Sequence, residues 1–233
     1  MRQFATLRTR AWVLAGAVAL AAVSAAGSSL DATFANIDRA AARLTAVTAD
    51  LHYVAYTAVI QAEDRQTGKF LLKRTKSHET LALFDVREPE PKAYAMDAHK
   101  GEIYLPAAQT VQQYDLGKYK SMINEFLLVG FGSTSKELRS GYSIALGGAD
   151  TIGSAMTTRL ELTPRSPEKL MDVKRIDLWI SDASGIVVQQ KFYSGGGDYK
   201  VATYSNLVLN PNLADSAVRL NLPKGVKREY PQK

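Results

Sequence analysis

The chain has no cysteine, three histidines and two tryptophans among its 233 residues. Without cysteine it can form no disulfide, no thiolate metal site and no thiol nucleophile. A domain of this size must then be held by its core. His52, His78 and His99 are scattered singly, and neither His-x-x-x-His nor His-Glu-x-x-His spacing occurs, so no metal site is written in the sequence. Ser143 lies in Gly141-Tyr-Ser-Ile-Ala, short of the second glycine of a nucleophile elbow and at the start of a strand. Gly130-Phe-Gly132 has Ser135 where a dinucleotide fingerprint needs its third glycine. The run 195–197 has no lysine in phosphate-loop register, and Glu79 and Asp85 read as solvated strand carboxylates. No catalytic residue, metal or cofactor is expected, and the chain reads as a binding protein, not an enzyme. A block of one charge is missing too. The 29 Lys and Arg alternate with 23 Asp and Glu, and no basic stripe with interleaved aromatics marks a nucleic-acid partner.

Long hydrophobic runs are also scarce. Arg2, Arg8 and Arg10 precede an uncharged stretch, 11–26, that ends in small residues. A basic start, an apolar stretch and an Ala-x-Ala-like end predict a secretory signal peptide over 1–25, with cleavage after Ala25 or Ala26 fitting equally well. The stretch is shorter than the ~20 residues of a spanning helix and is rich in alanine, which favours a leader over an anchor. Removing its three arginines leaves 26 basic against 23 acidic residues, a formal +3 in place of +6. The absence of cysteine removes the acceptor for a bacterial lipid anchor, so a free periplasmic protein is expected, as one domain over 26–233.

Apolar residues recur at Leu30, Phe34, Ile37, Ala41, Leu44 and Leu51, with Val47 close by, and predict an amphipathic helix over 29–51 with Ser29 as N-cap. The period then changes to two. Strands are expected at 52–62, 69–76, 79–86, 91–97, 102–105, 111–115, 142–146, 156–163, 173–180, 186–193, 199–209 and 218–222. Turn residues separate several of them, among them Thr67-Gly68, His99-Lys100-Gly101 and Asp182-Ala183-Ser184-Gly185. Between these two groups of strands, 119–129 has helical spacing, with Met122, Ile123, Phe126 and Leu127 on one side. Thr134–Glu137 is a capping box. About 11 short strands with two helices predict a mainly β, half-open antiparallel barrel covered by an N-terminal helix and a mid-chain helical lid.

The strands carry more apolar face than short helices can cover. Phe70, Leu72 and Arg74 share one side of their strand, opposite Lys69, Leu71 and Lys73. Ile176, Leu178 and Ile180 oppose Arg175 and Asp177, and Leu160 and Leu162 oppose Arg159 and Glu161. A sealed core and a ligand cavity both fit this pattern. The faces of 52–62 are undecided, because Val54, Tyr56, Ala58 and Ile60 are no more apolar than Tyr53, Ala55, Thr57 and Val59.

Several stretches, in this order and at this spacing, resemble the periplasmic outer-membrane lipoprotein carrier family (LolA). They are Gly68-Lys-Phe-Leu-Leu-Lys-Arg74, Lys100-Gly-Glu-Ile-Tyr-Leu-Pro106, Leu160–Pro164, the strand and Asp-x-x-Gly turn of 173–187, and the tail 218–226. The resemblance implies an incomplete barrel whose interior accepts acyl chains, with Phe70, Leu72, Leu160, Ile176, Leu178 and Ile180 lining it. It implies that Met122, Ile123, Phe126 and Leu127 cap the cavity, and that Arg74 latches the lid by hydrogen bonds to backbone. The implied function is ferrying acylated lipoproteins from inner to outer membrane, with an inner-membrane release complex and an outer-membrane receptor as partners and the carrier itself a monomer. Thr75 stands where the family has proline, Thr80 or Leu81 where it has tryptophan, and His99-Lys100 where it has the aspartate of an Asp-Gly turn. These departures bear on cargo, and a glycolipid or phospholipid carrier or sensor on the same scaffold is the alternative.

Overall fold

A computed structural model describes residues 29–75, 79–97, 99–117, 129–166 and 172–232. The expected leader and the expected lid residues Met122, Ile123, Phe126 and Leu127 lie outside the described residues.

The first element is helix α1 (Leu30–Arg43), whose Ser29 cap accepts from the Ala32 N–H at 3.1 Å. Asp31 in its first turn and Arg43 in its last suit the helix dipole. Phe34, Ile37 and Ala41 form its buried stripe. The helix ends at Arg43, not at Leu51 as the apolar spacing predicts. Val47 and Leu51 fit a helical period from Leu44, yet with Ala49 they also fit a period of two. The β-branched Thr45, Val47 and Thr48 favour the extended form. Strand β1 (Ala46–Thr57) then finds a partner on each side, which settles the choice.

Strand β2 (Ala62–Arg74) returns beside β1, followed by β3 (Thr80–Glu88), β4 (Lys92–Met96), β5 (Lys100–Leu105) and β6 (Thr110–Asp115). Helix α2 (Ser135–Gly141) precedes β7 (Tyr142–Ile152), β8 (Ala155–Pro164), β9 (Val173–Ser181), β10 (Val187–Ser194), β11 (Tyr199–Leu209) and the short β12 (Lys227–Glu229). All lie in one sheet of order β12-β6-β5-β4-β3-β2-β1-β11-β10-β9-β8-β7. Its pairings are antiparallel except β12 with β6, and it stays open between β12 and β7. The expected half-open barrel is therefore present, with twelve strands.

Three local readings are corrected. Thr67-Gly68 is not a turn but lies inside β2, at a register shift against β3. A Cβ on Gly68 would stand 2.0 Å from the Asp85 carbonyl oxygen, so the glycine permits close backbone approach. The turn expected at His99-Lys100-Gly101 lies one or two residues earlier, closed by the Asp97 N–H on the Lys100 carbonyl at 2.9 Å, and Lys100 and Gly101 already open β5. The strand expected at 218–222 is absent: Asp215–Val218 is a 3-10 turn with Val218 buried. Pro223, having no N–H, cannot extend a ladder there.

The curled sheet buries one face under the helices. The capping box of α2 is formed: Thr134 Oγ1 accepts from the Glu137 N–H at 3.2 Å, and Glu137 Oε2 accepts from the Thr134 N–H at 2.7 Å. The Asp38 carboxylate of α1 accepts from the Ser135 N–H and hydroxyl at 2.7 and 2.6 Å, tying the two helices together. Beneath them Phe34, Ile37 and Leu44 pack with Val47, Leu72, Leu160 and Leu178 into one apolar core.

Candidate functional site

Among the described residues, α1, α2 and the stretch 129–132 cover only part of the concave face. Directly paired residues of neighbouring strands share a face, so register reads the uncovered wall row by row. One row runs Gln66, Tyr53, Ala202, Gln190 across β2, β1, β11 and β10. The next, nearer the β1–β2 turn, runs Asp64, Ala55, Lys200, Phe192. With Leu51 and Tyr204 behind, and Phe84, Val86, Tyr94 and Met96 from β3 and β4 on one flank, these rows enclose a cavity of about 380 Å³. That lies within the roughly 300–1,000 Å³ of small-ligand sites. Gln190, Ala202 and Tyr204 are buried while Asp64 and Lys200 are exposed. The cavity therefore opens at the end where the two charges stand. The undecided faces of the first strand are resolved: Tyr53 and Ala55 point inward, Tyr56 outward.

An aromatic cluster joins the cavity to the core, with Phe84 and Tyr204 on the cavity wall and Phe70 and Phe131 packed behind them. Phe70 lies 4.9 Å from Phe84, 4.8 Å from Phe131 and 5.1 Å from Tyr204, and Phe131 meets Tyr204 edge-on at 4.8 Å. Phe131 belongs to the buried stretch 129–132, which lies against the sheet. Two inward side chains hold that stretch. The Tyr204 hydroxyl donates to Gln190 Oε1 at 2.9 Å, and Gln190 Nε2 donates to the Val129 carbonyl. Arg74, half-buried at the end of β2, donates from Nη2 to the Gly132 carbonyl at 2.6 Å and from Nη1 to the Ala41 carbonyl at 3.1 Å. Ala41 lies in the last turn of α1, where carbonyls have no partner within the helix. Gly132 has φ +81° and a Cβ there would stand 2.2 Å from Arg74 Nη2, so only glycine fits the grip.

The walls are apolar with neutral polar points. Burial pushes the Tyr53 phenol up to about 12, and the buried Tyr204 is raised by the same cause. Both stay protonated near neutral pH. At the mouth, Gln66 Nε2 donates to Asp64 Oδ2 at 2.6 Å. Asp64 and Lys200 flank Ala55 from opposite strands, roughly 10 Å apart by strand spacing. Among the described residues, no cluster of three His, Asp or Glu is placed to hold a metal ion.

The expected lining residues sit elsewhere. Phe70, Leu72, Leu160, Ile176, Leu178 and Ile180 are at most 1% exposed in the packed core, and the cavity wall is built from other side chains. Arg74 does share their face, as its alternation predicts. Residues that sequence reasoning did not single out include Tyr53, Ala55, Gln66, Gln190, Ala202 and Tyr204. Gln190, a polar residue that shares its inward side with Phe192 and pairs with Leu178, is the signal that could have marked the site.

Fold and cavity together define a class: an open, helix-covered antiparallel sheet with a pocket in its concave face. No protein-family model and no curated protein matches the chain. Solved structures do. The crystal structure of MucB is 12% identical over 83% of this chain, with a TM-score of 0.53. This chain spans 64% of that chain's length. An uncharacterised conserved protein from Thermus thermophilus is 12% identical, with 86% of this chain and 96% of that one covered and a TM-score of 0.51. A LolA superfamily protein from Nitrosomonas europaea is 14% identical, with coverages of 83% and 98% and a TM-score of 0.41. The likeness is one of fold. Among the described residues, no helix is long and apolar enough to cross a membrane.

Proposed function

We propose that this chain is a lipid carrier whose concave cavity shields an acyl chain from water. The observation that carries the reading is the hollow of about 380 Å³ walled largely by aliphatic and aromatic side chains, which the described residues leave open beside a sealed core. Each methylene withdrawn from water is worth about 0.8 kcal/mol, so even a partly enclosed chain gains several kcal/mol. The basic, apolar, Ala-rich start supports export to the periplasm, and the sequence resemblance supports lipoproteins as cargo, moved from inner to outer membrane. In that reading Arg74 biases the protein between empty and loaded states, because lengthening the cavity beneath the helices requires release of Gly132. A ligand shifts such an equilibrium only by its differential affinity for the two states.

A second cargo class is favoured by one feature. Asp64, Gln66 and Lys200 at the mouth offer an acceptor and donors to a polar head, which suits a phospholipid or glycolipid. Native mass spectrometry of protein purified from its host tests both readings. A bound mass is expected, and its composition separates lipoprotein from other lipids. Bare polypeptide, together with failure to displace a fluorescent fatty acid, would end the carrier reading. If Arg74→Leu leaves both lipid uptake and release to an acceptor unchanged, the latch role is wrong.

A further inference from the structure

At the open end of the cavity, β1 passes into β2 through the turn Ala58–Ile60. Turns favour Gly, Pro, Asn, Asp and Ser. This one presents Val59 and Ile60, 90% and 70% exposed. Their exposure is held in place. The Asp198 carboxylate accepts from the Ala58 N–H at 2.8 Å, and the Gln61 N–H closes the turn on the Ala58 carbonyl at 3.2 Å. The neighbouring Gly195–Gly197 turn packs on Ala58, with the Cβ position of Gly197 only 3.3 Å away.

Just behind this tip, on the outer face, register aligns Tyr56, Tyr199 and Tyr193 across β1, β11 and β10. Tyr56 and Tyr199 stack at 4.9 Å. The Lys191 ammonium lies 4.0 Å from the Tyr199 ring and 4.8 Å from that of Tyr193, and the Arg175 guanidinium lies 4.2 Å from Tyr193. Glu63, paired with Arg65, stands beside Tyr56 in the same row and accepts from the Tyr199 hydroxyl at 3.4 Å. Aliphatic side chains at the extremity, then tyrosines with this ion pair, then cations follow the order in which a bilayer changes from acyl chains to headgroups. On the inner face at the same level stand Asp64, Ala55 and Lys200, the cavity mouth.

We propose that the Ala58–Ile60 turn and the tyrosine row behind it form a membrane-docking edge that seats the cavity mouth against a lipid bilayer. Two side chains on a projecting tip offer far less than the roughly 800 Å² per partner of a stable protein interface. They are enough for reversible insertion at a lipid surface. The edge deepens the carrier reading, since a guest leaving the bilayer would enter the cavity without crossing water.

The test is flotation of the full chain with vesicles of phosphatidylethanolamine and phosphatidylglycerol, comparing wild type, Val59→Ser/Ile60→Ser and Met156→Ser. Met156 is 71% exposed but sits at the opposite end of the strands, so it controls for exposed apolar surface as such. Wild type and Met156→Ser should float, and the double variant should lose partitioning by on the order of tenfold per side chain removed. Equal flotation of the double variant, equal loss in Met156→Ser, or no flotation of wild type would overturn the proposal. So would self-association of wild type through this turn, seen by sedimentation and abolished in the double variant. Binding of a fluorescent fatty acid without vesicles reads the cavity alone. Its failure with flotation intact would sink the carrier reading and leave the docking edge standing.

Discussion

Arg74 carries a guanidinium that cannot shed its charge in a protein, so half-burying it demands acceptors. It finds them in the Ala41 and Gly132 carbonyls. Arg74→Leu is expected to lower stability by about 3 kcal/mol in urea unfolding, the low end for two hydrogen bonds worth roughly 1.5–3 kcal/mol each, because the arginine is only half-buried and water reaches it. Unchanged stability would mean that water replaces the grip at no cost. Tyr53 makes a pH prediction. Its folded-state value is raised by burial from 10.0 to about 12, so the neutral phenol is favoured in the fold. Its stabilisation is complete below pH 10 and is lost as pH rises from 10 toward 12. Tyr204 acts in the same direction. Thermal stability should therefore fall above pH 10, and Tyr53→Phe should flatten that part of the decline. A wild-type and Tyr53→Phe pair with identical alkaline profiles would remove Tyr53 from the account.

At the scale of elements, the stretch 129–132 joins core to cavity. Gly132→Ala meets two obstacles at once: a left-handed φ of +81° and the Arg74 guanidinium 2.2 Å from the new methyl. A cost of about 1–2 kcal/mol is expected from the backbone alone, with more from the displaced arginine. Because both changes break one grip, the cost of Gly132→Ala combined with Arg74→Leu should fall short of the sum of the single costs. Additive costs in a double-mutant cycle would separate the two residues. Elements also show how far a one-dimensional pattern reaches. The capping box and the Asp182–Gly185 hairpin were legible because their chemistry is local. The end of α1 was not: Leu44, Val47 and Leu51 satisfy a helical and an extended period alike, and the strands flanking β1 decide between them.

At the scale of the whole fold, the decisive feature is that the described residues seal one part of the concave face and leave a cavity in another. A bound lipid stabilises by mass action, about 2.7 kcal/mol at a hundredfold excess over Kd. At this chain length that amounts to roughly 5–10 °C in Tm, taking ~2–4 °C per kcal/mol. Ala55→Trp places an indole between Asp64 and Lys200 at the mouth, where there is room for it. Its own Tm should stay within a few degrees of wild type, while the gain on adding fatty acid disappears. A full gain in the plugged variant would put the lipid elsewhere.

The sequence by itself determined the class of fold, the inward side of β2 and the position of Arg74, because alternation and turn chemistry act within a few residues. It also held the apolar excess that made a cavity one of two outcomes. Only the tertiary structure decided where that cavity lies. Phe70, Leu72, Leu160, Ile176, Leu178 and Ile180 are as apolar as any lining could be, yet α1 and the stretch 129–132 settle on them. The rows that the described residues leave uncovered mix Tyr53, Ala55, Gln66, Gln190 and Ala202. Which part of an apolar face stays open depends on where its cover stops, and that is set by contacts between segments far apart in the chain.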